Sequence, residues 1–336
     1  MKIKTSLFKY VAPDAPQELK IKVISGAEPA GGLEPEDRVT ALFVLSHDHN
    51  AAVAGPAKSA FTDLSNDILT EALGGSLDPL VIKTVVSARK DSEALLTLAA
   101  LNPAVDDATL CWIAENCPED TLQVMAEDRE QFVARAGFMD AVRKNPSAAA
   151  LLIERLEGKA AAAQPAGAND GAPAAPAKLD EDEKKILRKA SSNRAMEESK
   201  NIFQIVSKLS VSQKVKLALS GNKSARELLV KESNKLVCSG VLKNPRITED
   251  EILKLAVTKG TSEDILRHIA KGREWLKNYS IRSALVTNPK TPTTISTRVM
   301  ESLNDADVLK LSRSKNIPVA LSTAAKRRID AKAKKK

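Results

Sequence analysis

The chain is poor in aromatic side chains: 6 Phe, 2 Trp and 2 Tyr in 336 residues, or 3%. A core built from it is aliphatic, and its aromatic density is far below that of a base-stacking sheet, which weighs against that kind of nucleic-acid binding. It has only three cysteines, Cys111, Cys117 and Cys238, and three histidines, His47, His49 and His268. That excludes a disulfide scaffold and a metal protein with many Cys or His ligands. No run of about 18 uncharged apolar residues occurs, so no membrane span is predicted. The opening MKIKTSLFKYVAPDAP lacks the apolar stretch of a secretory signal. Three unpaired thiols then point to the cytoplasm.

What is present is a composition that folds, 43% hydrophobic with 28% charged residues and a net charge of +8. The charge is divided along the chain. Residues 1–157 hold 15 Lys+Arg against 24 Asp+Glu, whereas residues 181–336 balance to +17. Between them, residues 158–180 are rich in Ala, Pro and Gly and hold almost no large apolar side chain. Such a segment cannot bury enough surface to offset its ordering entropy, and it reads as a disordered linker. The predicted layout is an acidic helical-repeat domain at 1–157, the linker at 158–180, a basic helical-repeat domain at 181–325 and a basic tail at 326–336. LDEDEKKILRKASS, with acids before bases, is predicted to open the second half as a helix.

Asn-Pro recurs in a fixed context, at Asn102-Pro103, Asn145-Pro146, Asn244-Pro245 and Asn288-Pro289. The spacing is 43 residues in the first half and 44 in the second. Aliphatic stretches such as LLTLAALNP, LVCSGVLKNP and SIRSALVTNP lead into it. Proline disfavours the α conformation in the residue before it, so each Asn ends a helix or starts a turn. A second short helix follows. Counting Asn as zero, its apolar residues fall at positions 8 and 11: Leu110 and Ile113, Ile153 and Leu156, Ile252 and Leu255. The fourth copy slips, with Ile295 at 7 and Val299 at 11. Thr248-x-x-Glu251 reads as a capping box, with Thr261-x-x-Asp264 and Ser224-x-x-Glu227 as further examples. A single helix–turn–helix unit cannot bury its own apolar face, so such units stack.

Short aliphatic helices are also predicted at 35–46, 65–75, 79–89 and 92–101, and in MEESKNIFQIVSKLS, VSQKVKLALSG, SARELLVKES and SEDILRHIAKG. MKIKTSLFKY alternates like a strand, while LKIKVISG reads as the end of a first helix. The predicted fold class is all-α, an α-solenoid of short helical hairpins.

LAALNPAVDDATLCWIAENC and SALVTNPKTPTTISTRVMES resemble units of the leucine-rich repeat variant and related HEAT-like helical repeats of bacteria. The basic half from Lys214 onward resembles an uncharacterised two-part bacterial family. These resemblances imply an all-α superhelical scaffold without catalytic activity. Repeat-variant proteins can carry an iron–sulfur cluster on a separate cysteine group; this chain has no four-cysteine cluster, so no cofactor is carried over.

Motifs for chemistry are few. His47-Asp48-His49 follows an apolar helix and reads as a polar turn rather than a metal site. Cys111 and Cys238 read as small buried hydrophobes, and the Cys111/Cys117 spacing is wrong for zinc. Ser220-Gly221-Asn222-Lys223-Ser224 lacks the adjacent Gly-Lys and preceding strand of a phosphate loop; Gly221 reads as a C-cap and Ser224 as an N-cap. No catalytic, cofactor or metal residue is predicted. One candidate interaction patch remains, with Trp275 and Tyr279 four residues apart on one helix face beside Arg273, Lys277 and Arg282. The basic tail, Lys326, Arg327, Arg328, Lys332, Lys334, Lys335 and Lys336, is a second. The predicted function is a non-enzymatic scaffold that binds another protein. The alternative is nucleic-acid binding through the basic half. The acidic and basic halves could also contact each other.

Overall fold

The computed structural model describes residues 3–27, 32–158, 199–314 and 316–333. The linker predicted from residue 158, the helix predicted over LDEDEKKILRKASS and Lys334 to Lys336 lie outside these, apart from Gly158. The described residues form 22 α-helices and one 3-10 turn, with no strand among them. The chain divides into two compact units, Met1–Pro245 and Arg246–Lys336.

Many helices start where the sequence supplies a cap. Ser65 accepts from the Ile68 N–H, Asp78 from Leu80 with Pro79 in the first turn, and Asp106 from Thr109. Thr248 and Glu251 form the capping box read from the sequence. Two other predicted caps are displaced by better ones. Ser262, not Thr261, caps its helix, and the Thr261 hydroxyl donates to the Leu255 carbonyl at 2.7 Å. Asn222, not Ser224, accepts from the Ala225 N–H, so the helix starts earlier. Ser210 and Gln213 form a capping box that the sequence reading missed. The strand-like opening is a helix, Thr5–Val11, because its buried residues Leu7, Tyr10 and Val11 fall at helical spacing.

The first unit runs α1 (Thr5–Val11), α2 (Gln17–Ser25), α3 (Pro35–Leu45), α4 (Ala51–Thr62), α5 (Asn66–Gly74), α6 (Pro79–Ala88), α7 (Glu93–Ala100), α8 (Asp107–Asn116), α9 (Glu119–Glu127), α10 (Arg129–Val133), α11 (Phe138–Lys144) and α12 (Ala150–Glu157). It continues with α13 (Ser199–Lys208), α14 (Val211–Ser220), α15 (Lys223–Leu229) and α16 (Lys235–Leu242). Helices pack across the ones between them, α3 on α5, α5 on α7, α7 on α9 and α8 on α11, and α3 also packs on α4. From the other side of residues 159–198, α14 packs on α5, α7 and α9 as well as on α16. Lys243, just after α16, reaches both Glu93 and Asp120 at 2.6 Å. One positive side chain thus ties α7 and α9 to the end of α16. Gly240 lets α16 approach α14 closely, since a Cβ there would stand 3.1 Å from that of Ala218.

The second unit runs α17 (Glu249–Val257), α18 (Glu263–Lys271), the 3-10 turn Trp275–Lys277, α19 (Tyr279–Thr287), α20 (Thr293–Met300), α21 (Asp305–Arg313) and α22 (Val319–Ala333). Its core joins Val286, Val299, Met300, Val308, Leu311 and Leu321. Here α17 packs on α19 and α20 on α22, and sequential helices pack as well, α19 on α20 and α21 on α22.

The four Asn-Pro motifs fasten four of these helix pairs. Each Asn ends its helix, as its proline requires, and each is exposed by 5% or less. The side-chain amide donates backward to two carbonyls at the end of an earlier helix, two places back for Asn102, Asn244 and Asn288 and three for Asn145. Asn102 donates to Leu73 and Gly75 at 2.8 and 3.0 Å, and Asn145 to Ala114 and Cys117 at 2.7 and 2.8 Å. Asn244 donates to Ala218 and Gly221 at 2.8 and 3.2 Å, and Asn288 to Ala256 and Thr258 at 2.8 and 3.1 Å. The amide oxygens of Asn102, Asn145 and Asn288 accept from Ala104, Ser147 and Lys290, the second residue on. Proline has no N–H, so that residue carries the first available donor. The last carbonyls of a helix have no partner within it. One buried Asn therefore satisfies two of them and holds the C-terminal ends of α5/α7, α8/α11, α14/α16 and α17/α19 together.

The apolar positions after each motif are filled with slippage. Leu110 and Ile113 are fully buried, and Ile252 is too. Ile153, Leu255 and Ile295 are only half-buried, and Leu152, Ala256 and Ser296 take the inner places instead.

Candidate interaction surface

The residues from Arg273 to Arg282 do not form one helix face. Trp275 and Lys277 lie in the 3-10 turn, while Tyr279 opens α19. The break is Asn278, which is extended and caps α19 by accepting from the Ser280 N–H. Trp275 is half-buried, with its ring 6.3 Å from that of His268. Lys277 is exposed and paired with Glu274 at 2.6 Å, and Arg273 is exposed. Tyr279 and Arg282 face the other way. The Tyr279 hydroxyl donates to Asp307 and accepts from the Asn304 N–H at 3.3 Å. Arg282 lies 5.3 Å from the Tyr279 ring centre and donates to the Ser302 carbonyl at 3.3 Å. The hydrogen bond to Asp307 raises the Tyr279 phenol above its ordinary pKa, and together with Lys310 lowers that of Asp307. This half of the patch joins α19 to α21.

The basic tail is likewise part of the fold up to Ala333. Lys326, Arg327, Arg328 and Lys332 lie on α22, whose Leu321 and Ala325 are buried at helical spacing. Arg328 donates to the Met300 and Leu303 carbonyls, and Lys332 pairs with Asp305 at 2.6 Å. Arg328 does at the end of α20 what the asparagines do elsewhere. Arg89 does the same for α4, donating to the Thr62 and Leu64 carbonyls. Lys326 and Arg327 remain exposed.

His47 sits at the turn after α3, where its Nδ1 lies 2.9 Å from the Phe43 carbonyl. Asp48 belongs to a buried ion pair: Lys20, 4% exposed on α2, donates to Asp48 at 2.8 Å and to the Pro13 carbonyl at 3.1 Å. Among the described residues no three His, Cys, Asp or Glu side chains are grouped to hold a metal ion.

Cys111 is half-buried rather than buried, and its thiol points to the Ala136 carbonyl at 3.3 Å. Burial, reinforced by Asp107, pushes this thiol up. Cys117 is fully enclosed, and burial pushes it up to about 12. Iodoacetamide is expected to label Cys111 first in the folded chain, faster as pH rises, with Cys117 and Cys238 reacting only on unfolding. Peptide mass mapping after timed alkylation checks this; early labelling of Cys117 at neutral pH would contradict it.

One surface was not legible in the sequence. In the first unit, Phe43, Val44 and His47 of α3 and its following turn face Leu80, Lys83, Thr84 and Ser87 of α6, with Ile3 beside them. They line a groove of about 680 Å³. Leu80 is 53% exposed although Val81, Ile82, Val85 and Val86 of the same helix are buried. The apolar run around Leu80 reads as core from the sequence, and only the position of α3 shows which side stays open.

No family model matches the chain, and neither a curated protein nor a solved structure matches it.

Proposed function

We propose that the chain is a non-enzymatic, cytoplasmic scaffold of HEAT-like, leucine-rich-repeat-variant-like helical units arranged as an α-solenoid, and that it binds other proteins. The observation that carries this reading is the fourfold recurrence of one bond pattern. A buried Asn at the end of one helix closes the end of a helix two or three places earlier, in both compact units. A unit whose end fastens the next is what a stacked repeat requires, and stacked helical repeats present extended docking surfaces. Three free cysteines suit a reducing compartment.

The positive charge of the second unit also favours this reading over nucleic-acid binding. That unit holds 20 Lys+Arg against 10 Asp+Glu. Yet Arg282, Arg298 and Arg328 donate to backbone carbonyls, and Lys277, Lys310 and Lys332 pair with acids of the same unit. The three arginines held on carbonyls are poorly placed to track a phosphate backbone, and the three exposed lysines would first have to leave their acidic partners.

Fluorescence anisotropy of the full chain with short labelled DNA and RNA duplexes tests the choice. The expected result is weak binding at low salt that falls away toward physiological salt, with Kd then weaker than about 1 μM. Tighter binding that persists at physiological salt, and is lost on replacing the exposed Lys326 and Arg327 by Glu, would move the function to nucleic-acid recognition.

A further inference from the structure

We propose that the groove between α3 and α6 docks a short acidic amphipathic helix of a partner protein. This rests on the scaffold reading and gives it a site.

The groove favours apolar anchors. Its floor is Ile3, Phe43, Val44 and the exposed Leu80. The two hydroxyls of its walls and the His47 Nδ1 are already engaged by their own helices. Thr84 donates to the Leu80 carbonyl at 2.8 Å, Ser87 to the Lys83 carbonyl at 2.9 Å, and His47 Nδ1 lies against the Phe43 carbonyl. An apolar occupant therefore strips little water from unmet polar groups, which keeps the desolvation cost low. The volume, about 680 Å³, is within the range of pockets that enclose ligands and takes a few large side chains.

The form of the occupant follows from the walls. Both are helices whose backbone groups bond internally, so neither offers an edge to which a strand could add. Side-chain anchors remain, and the row Leu80, Lys83, Thr84, Ser87 has the spacing of a helix ridge that a second helix can meet. The charge of the occupant follows from the rim. Lys83 is exposed there, and no carboxylate lines the groove among the described residues. This one lysine, with no acid beside it in the lining, stands out in a stretch, residues 1–157, where acids outnumber bases 24 to 15. Charge complementarity selects Asp or Glu beside the apolar anchors.

A phage-displayed library of random peptides, selected on the full-length chain, supplies the probes. The enriched peptides are then synthesised and measured by anisotropy. They are expected to combine large apolar residues at helical spacing with Asp or Glu. Leu80→Asp is expected to weaken them by at least about tenfold. Lys83→Glu is expected to weaken them by about fivefold, and peptides with Glu exchanged for Lys to regain affinity on that variant. Leu151→Asp, on the 75% exposed Leu151 of α12, is the control and leaves binding unchanged. Circular dichroism confirms that each variant stays folded, as substitutions at exposed positions allow.

Peptides that bind both groove variants as tightly as the wild type overturn the groove and leave the scaffold reading standing. So do peptides without an acidic preference. Self-association of the chain that Leu80→Asp abolishes would assign the groove to a second copy and overturn the partner helix. A selection that returns no binder overturns the proposal as well. The scaffold reading fails separately, on the duplex measurement.

Discussion

Asn102→Leu is expected to destabilise the first unit by about 3 to 5 kcal/mol. The variant removes three hydrogen bonds, two of them to carbonyls at the buried end of α5. Leaving a buried polar group unmet costs about 1 to 3 kcal/mol each, and the leucine cannot supply a donor. Asn102→Asp is worse above its carboxyl pKa, because it turns an acceptor with a full charge toward two carbonyl oxygens in a site that is 0% exposed. The same substitutions at Asn288 act on the second unit. The two tryptophans separate these effects, since Trp112 lies in the first unit and Trp275 in the second. Urea unfolding followed in single-tryptophan variants should show a lowered midpoint for the unit that carries the substitution. A midpoint within experimental error of the wild type would mean that the asparagines are replaceable.

Asp48→Ala is expected to cost about 3 kcal/mol, the low end of the range for breaking a buried ion pair. Lys20 is buried on α2, and without Asp48 its ammonium keeps only the Pro13 carbonyl. The low end applies because Asp48 lies at the rim, where water can partly replace it. Lys20→Met is expected to cost far less, and the double variant Lys20→Met with Asp48→Ala to be more stable than Asp48→Ala alone. The pair also carries a pH dependence. The hydrogen bond from Lys20, then that from the Asn50 N–H, hold the Asp48 carboxyl below its ordinary range. A depressed folded-state pKa stabilises the fold above the unfolded value of about 3.9. That contribution is lost as pH falls below it through the folded carboxyl's pKa. Unfolding midpoints measured from pH 6 downward should therefore converge for wild type and Asp48→Asn in acid.

Helix content was legible because apolar periods act locally. Caps were less so: of Thr248, Thr261 and Ser224 only Thr248 caps its helix, because Ser262 and Asn222 offer better-placed acceptors. The Asn-Pro motif was half legible. Its proline announces a helix end, but the two carbonyls that the amide meets lie 23 to 32 residues earlier. A signal existed: the same residue type, able to donate and accept at once, recurred at a helix end where any polar cap could have ended the helix. The single helix face read for Trp275 and Tyr279 failed for a local reason. Spacing by four places two side chains on one face only if the helix is unbroken, and Asn278 breaks it. The basic tail misled because its charge masks the continuation of a helix that Leu321 and Ala325, just before it, and Ile329, within it, pack down. Tertiary placement alone decides whether an apolar residue such as Leu80 is core or surface, so the groove had no signature in the sequence.

Hydrogen exchange on full-length Asn102→Leu and Asn288→Leu, compared with wild type, tests the clamped stack most directly. In a stack of repeats each unit contacts only its neighbours, so lost protection should concentrate near the broken clamp. For Asn102→Leu that means α5, α7 and the helices packed on them. For Asn288→Leu it means α17 and α19. Protection that falls evenly along the chain in either variant, or that does not fall at α5 and α17, would contradict a stack held together by its asparagines.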